Sequence, residues 1–116
     1  MALYPVRRHV VVIFRSPAEL GVFSMMGGKP IATIGACGDA DDLFIDAKRA
    51  RVYVSCGAGF LDVLEPKDAT YQRIARIPTV SGARTSLFVP EMDRLLVAVR
   101  ANSGEPPAIW IFRPMP

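Results

Sequence analysis

Hydrophobic positions fall in short runs that alternate with polar ones, and most runs stop at glycine, proline or aspartate. The segments "HVVVIF", "RVYVS", "GFLDVLE", "RLLVAV" and "AIWIF" are rich in β-branched and aromatic residues, as expected of strands buried on one or both faces. Gly27–Gly28 and Pro66–Asp68 sit between such runs as turns. No stretch keeps a helical period, so the pattern predicts an all-β chain of antiparallel hairpins.

The pattern also repeats. "MALYPVRRHVVV", from Met1, aligns without a gap on "LFIDAKRARVYV", from Leu43, 42 residues later. "LFVPEMDRLLVAV", from Leu87, follows Leu43 by 44 residues, with its central turn read as one residue shorter. Each block is strand, charged turn, strand. Two further strands follow the first two blocks and one follows the third. A unit of four strands in ~42 to 44 residues has the size of a β-propeller blade. The chain then divides into blade one (residues 1–36), blade two (37–80) and blade three (81–116), the last lacking its outermost strand. A four-bladed ring needs roughly 16 strands, and this chain supplies fewer. The expectation is a single propeller-fragment domain, an incomplete ring of four-stranded antiparallel sheets completed by self-association. A homodimer with about six blades is preferred over a trimer with about eight or nine. The apolar, uncharged "AIWIF" edge argues the same way.

In "RVYVSCG", Arg51 to Gly57, Tyr53 and Val54 match the bacterial YVTN-type β-propeller repeat, with Ser55 in place of Thr and Cys56 in place of Asn. "KPIATI" resembles the fourth strand of that repeat. "GDADDLF" and "GARTSLFVPEMDRLLVAV" look like terminal blades of larger members. Blades one and three depart from the motif with "VVVIFR" and "LLVAVR". The resemblance covers nearly the whole chain and implies a C-terminal piece, of about two and three-quarter blades, of a longer propeller. It implies little about activity, because propellers host unrelated functions.

Composition narrows the partners. The chain is 51% hydrophobic and 22% charged, enough to bury a core. No apolar run reaches the ~18 residues of a membrane span. "MALYPVRRHVVVIF" lacks the ordered layout of a signal peptide, which predicts a cytoplasmic chain as written and leaves export open for full-length relatives. The net charge of +3 comes from scattered arginines and not from a basic stripe, so nucleic acid is not an expected partner. Cys37 and Cys56 are read as buried or half-buried thiols. A structural zinc site needs four ligands, which a chain with one histidine hardly supplies.

In a propeller, the loops entering each innermost strand and those joining second and third strands meet near one end of the central channel. Here the first set carries Asp39, Asp41, Asp42, Ser81, Arg84 and Thr85, and the second carries Arg15, Ser16, Cys56, Arg100 and Asn102. Convergent carboxylates hold hard cations. Asp41 and Asp42 are therefore candidate metal ligands, with Cys56 as a soft ligand that would favour zinc over calcium. Asp39, Arg84, Thr85 and Arg100 are candidate ligand-binding residues. Two function classes follow. One is a self-assembling module whose channel mouth binds a metal or small molecule. The other is a metal-dependent hydrolase of activated esters, lactones or phosphotriesters, its metal activating water. Against both stands a structural reading, in which the acids satisfy loop amides or pair with Arg84 across blades. His9 is expected as a surface turn residue at the other end, and Tyr53, Trp110, Phe14, Phe44 and Phe88 as core between blades. No triad or nucleophile elbow fits, and Gly27–Gly28 reads as a hairpin turn, not a phosphate loop.

Overall fold

The computed structural model describes residues 1–116. The chain is all-β. Sheet one contains β1 (Ala2–Tyr4), β2 (His9–Arg15), β3 (Ala18–Ser24) and β4 (Pro30–Gly35), in that order. Sheet two contains β5 (Ala40–Asp46), β6 (Arg51–Cys56), β7 (Phe60–Lys67) and β8 (Thr70–Pro78). Sheet three has only β9 (Ser86–Val89), β10 (Arg94–Val99) and β11 (Ala108–Phe112). All pairings are antiparallel between neighbours in sequence. The one helical element is a 3-10 turn at Pro5–Arg7. No helix is long and apolar enough to cross a membrane.

The three sheets are one design repeated, and the repeat corrects the sequence alignment. Cross-strand pairs Tyr4↔His9, Asp46↔Arg51 and Val89↔Arg94 each enclose a turn of four residues. The last residue of each turn is left-handed: Arg8 (φ 57), Ala50 (φ 54) and Asp93 (φ 55). The third turn is therefore not shorter. The alignment of "LF" at Leu87 on "LF" at Leu43 is off by one. Phe88 pairs with Leu95 as Ile45 pairs with Val52. Since side chains alternate across a strand, a slip of one residue exchanges the faces. Leu87 thus points away from sheet two and is 52% exposed, while Phe88 packs against it at 8%.

The sheets stack face to face with sheet two in the middle. Val11, Leu20 and Val22 of sheet one meet Leu43, Val52, Val54 and Leu64 of sheet two. On the other face of sheet two, Tyr53, Leu61 and Val63 meet Phe88 and Leu95 of sheet three. Fully burying an aliphatic side chain of this size contributes about 1.5–3 kcal/mol. The outer faces of the stack are open. Leu3, Val10, Val12, Phe14 and Phe23 share the outer face of sheet one, as Leu87, Leu96, Ile109 and Ile111 share that of sheet three. Phe14 and Trp110, expected in the core, are 42% and 39% exposed. Gly21 lies under Phe14, where a Cβ would come within 2.7 Å of the ring.

Two buried polar groups tie the sheets together away from the acidic turn. His9, expected at the surface, is buried and its Nδ1 lies 2.9 Å from the Tyr71 hydroxyl of sheet two. It follows the αL turn residue directly, so it begins β2 on the inner face. Burial, with nearby Arg7 adding to it, holds its pKa below the ordinary histidine value. Asp46, 1% exposed, accepts hydrogen bonds from the Tyr53 hydroxyl at 2.6 Å and from Arg49 Nη1 at 3.1 Å. Arg49 in turn grips Asp93 of sheet three through two bonds of 2.6 Å. Arg49 holds the Asp93 carboxyl below its usual range, and burial chiefly pushes the Tyr53 hydroxyl upward.

Tyr53 therefore fills core space, meets the Phe88 ring edge-on at 5.4 Å, and satisfies Asp46. Tyr53→Ala is expected to destabilise the chain by about 3 kcal/mol or more. Tyr53→Phe, which removes only the hydrogen bond, is expected to cost about 1–2 kcal/mol. Urea titrations of both variants beside wild type check the order and the sizes.

Candidate functional site

Five loops meet at one end of the stack. Gly57 and Ala58, after β6, donate backbone hydrogen bonds to Asp39 and Gly38 before β5, at 2.7 and 3.1 Å. Gly82, after β8, donates to the Gly57 carbonyl at 2.7 Å. Arg15, at the β2–β3 turn, and Arg100, after β10, bring in the remaining two. The close approach depends on glycine. A Cβ on Gly57 would sit 2.0 Å from Asp39 Oδ2, and one on Gly82, whose φ is +86°, would sit 2.7 Å from Arg100 Nε.

The three acids of the turn are all engaged. Asp39 adopts a left-handed backbone (φ 56) and stands between two arginines from different sheets. Its Oδ2 accepts from Arg84 Nε at 3.1 Å and also from Arg84 Nη2, and its Oδ1 lies 3.3 Å from Arg15 Nε. Asp41 Oδ1 accepts from Arg15 Nη2 at 2.7 Å. Asp42 Oδ2 accepts the backbone N–H of Ser86 at 2.8 Å, which starts β9. Ser55 continues the link, donating to the Arg84 carbonyl at 2.6 Å with the Ser86 hydroxyl 2.8 Å away. The turn joins sheet one to sheet two through Arg15, and sheet two to sheet three through Arg84 and Ser86.

Cys56 does not stand beside these carboxylates as a thiol. It is bonded to Cys37 in a disulfide, both residues are at most 2% exposed, and no free cysteine remains. The expectation of two separate thiols, and of Cys56 as a soft metal ligand, is corrected on this point. A sulfur committed to a disulfide offers no thiolate. The residues are 19 apart in sequence, but the β4–β5 loop folds back over the end of β6 and brings their Cα atoms to 5.8 Å.

Of the proposed ligand-binding residues, Arg84, Thr85 and Arg100 do come together. They line one open cleft of about 620 Å³ with Gly82, Ala98 and Ile109. Asp39 reaches this cleft only through Arg84. Arg100 lies over Gly82 and pairs with no carboxylate, unlike Arg15 and Arg84. The cleft wall is therefore positive.

Sequence reasoning missed the strongest polar anchor nearby. Asp62, fully buried in β7, accepts two bonds from Arg76, at 2.7 and 2.9 Å, and the backbone N–H of Cys37 at 2.9 Å. It pins the β4–β5 loop, and with it the acidic turn. The signal was present as an acid in the apolar run "FLDVL". A buried acid in a strand needs partners, and Arg76 opposes it across β8.

No protein-family model matches the chain, and no curated protein is similar to it.

The two kinds of acid differ in what their removal leaves behind. Asp62→Ala strands the Cys37 amide and is expected to cost about 2 kcal/mol or more. Asp41→Ala breaks one exposed ion pair and is expected to cost under ~1 kcal/mol. Chemical denaturation of the two variants separates these outcomes.

Proposed function

We propose that the chain is a β-propeller fragment of the YVTN type that works by self-association, two copies joining in a ring of about six blades. One observation carries this reading: the two open faces match, through the repeat, the two buried faces of sheet two. Leu3, Val10 and Val12 occupy on sheet one the places of Ile45, Val52 and Val54, which pack on sheet one. Leu87, Leu96 and Ile111 occupy on sheet three the places of Phe44, Tyr53 and Val63, which pack on sheet three. The sheet-three end of one copy is thus suited to the sheet-one end of another. Such a contact is head-to-tail and must close to avoid open filaments. The expected result is a dimer by light scattering at micromolar concentration, with Phe14→Glu and Leu87→Glu each monomeric. A well-folded wild-type monomer would overturn the proposal, and a trimer would revise the ring.

At the channel mouth the geometry favours a small anion over a metal. The carboxylates proposed for zinc or calcium already face Arg15, Arg84 and the Ser86 amide, whereas Arg100 is uncommitted beside Arg84 and Thr85. A hydrolytic cation would have to compete with Arg15 for Asp41 and with the Ser86 amide for Asp42, so the hydrolase reading is the weaker one. The disulfide supports an oxidising compartment over a reducing cytoplasm, since such bonds persist there. Calorimetry with phosphate or citrate is expected to show binding that Arg100→Ala weakens about tenfold. Elemental analysis is expected to find no stoichiometric metal. Bound metal that Asp42→Asn removes would reinstate the metal reading.

A further inference from the structure

At the end of the stack opposite the acidic turn, one corner carries apolar side chains on the tips of its turns. The β1–β2 turn (residues 5–8) and the β3–β4 turn (residues 25–29) are joined there, the Met25 N–H donating to the Arg8 carbonyl at 2.9 Å. Val6 in the first turn is 87% exposed and Met26 in the second 75%, with Met25 beside it at 38%. The corner is convex. Gly27 and Gly28 have φ of +99° and +75°, and a Cβ added to either would meet nothing within 4 Å. Single exposed apolar residues are ordinary on a protein surface. Three gathered on two joined, projecting turns form a patch that calls for a partner.

The charge around the patch is of one sign. The two turns contain Arg7, Arg8 and Lys29 and no acid. Arg7 is turned inward, over the Tyr71 ring and onto the Asp68 carbonyl at 2.6 Å. Sheet two adds Lys48 in the β5–β6 turn and Lys67 at the close of β7, at the same end. Arg8, Lys29, Lys48 and Lys67 are exposed, and none of them pairs with a carboxylate. Of the acids at this end, Asp46 and Asp93 are answered by Arg49, Glu91 lies across the stack in the β9–β10 turn, and Asp68 adjoins Lys67.

We propose that this corner rests on an anionic lipid bilayer. Val6, Met25 and Met26 enter the headgroup layer, and Arg8, Lys29, Lys48 and Lys67 reach the lipid phosphates and carboxylates. The partner must be apolar to accept the tips, negative to answer the cations, and yielding enough to receive a convex shape. A bilayer surface has all three properties, with hydrocarbon close beneath a layer of anionic groups. Nucleic acid offers the charge without the apolar layer. The contact lies on the membrane and does not cross it, so it needs no long apolar helix. The proposed ring uses the faces of the stack and not this end, so the corner stays free in it.

The test is co-sedimentation of the full chain with vesicles of phosphatidylcholine alone and with about 30% phosphatidylserine. Binding to the anionic vesicles alone is expected, weakening as salt rises from about 0.1 to about 0.5 M. Arg8→Gln with Lys29→Gln is expected to weaken it by about tenfold or more. Val6→Ser with Met26→Ser, which keeps every charge, is expected to weaken it by about tenfold as well. Both double variants are expected to keep the wild-type urea midpoint and oligomeric state, because all four side chains project into solvent. No binding, equal binding to the two kinds of vesicle, or binding indifferent to the Val6 and Met26 substitutions would overturn the proposal. So would a single-stranded oligonucleotide held more tightly than the vesicles, and equally by wild type and that variant, since the cations would then serve nucleic acid. A change of oligomeric state in the same variant would overturn it too, since the tips would then belong to a contact between copies.

Discussion

The middle sheet is apolar on both faces, and a sheet of that kind is stable only when both faces are covered. Everything else in the chain follows from this. Val52, Val54 and Leu64 require sheet one, and Tyr53, Leu61 and Val63 require sheet three. A hairpin alone is marginal in water, and three sheets stacked through their side chains are not. The same alternation that buries sheet two twice leaves sheets one and three buried once, with Phe14 and Leu87 exposed on the outer faces.

Stacking through apolar surface is not directional, so the register between sheets has to come from polar groups. Asp46, Arg49 and Asp93 fix one end of the stack, and Asp39 with Arg15 and Arg84 fixes the other. Asp62 and the Cys37–Cys56 disulfide hold the loop from which the second clamp projects. The exposed pairs contribute little energy by themselves. Their role is geometric, because each joins residues from different sheets. The acidic turn is best understood as part of this clamp. Asp39 and Asp41 are answered by arginines and Asp42 by the Ser86 amide, and the cation left over at that end is Arg100.

The stack leaves two sheet faces open, and β11 stands at the edge of sheet three. The two faces correspond, through the repeat, to the two buried faces of sheet two, and that correspondence is what supports the proposed self-association. Beside the edge, a cavity of about 230 Å³ lies between sheets two and three. The cleft at Arg84, Thr85 and Arg100 borders sheet three as well, through Ala98 and Ile109.

The sequence by itself determined the strand content, the hairpin order and the threefold repeat, because each depends on local alternation and on turn residues. It also named the loops that meet at the acidic end, since the repeat dictates which loops share an end. It did not determine which acids are structural. The repeat put Arg84 in the loop that matches the acidic turn and so allowed a pair across sheets, but Arg84 lies 45 residues from Asp39 and only stacking decided between that pair and a ligand site. The one-residue shift of β9 escaped for a related reason. Two "LF" pairs look alike in a chain, and only pairing with Leu95 shows that Phe88, not Leu87, turns inward. His9 looked like a turn residue because it adjoins one, and became an inner-face residue when the left-handed Arg8 placed it in β2. The disulfide and the cavity beneath β11 were settled by tertiary structure alone, because each brings together segments far apart in sequence.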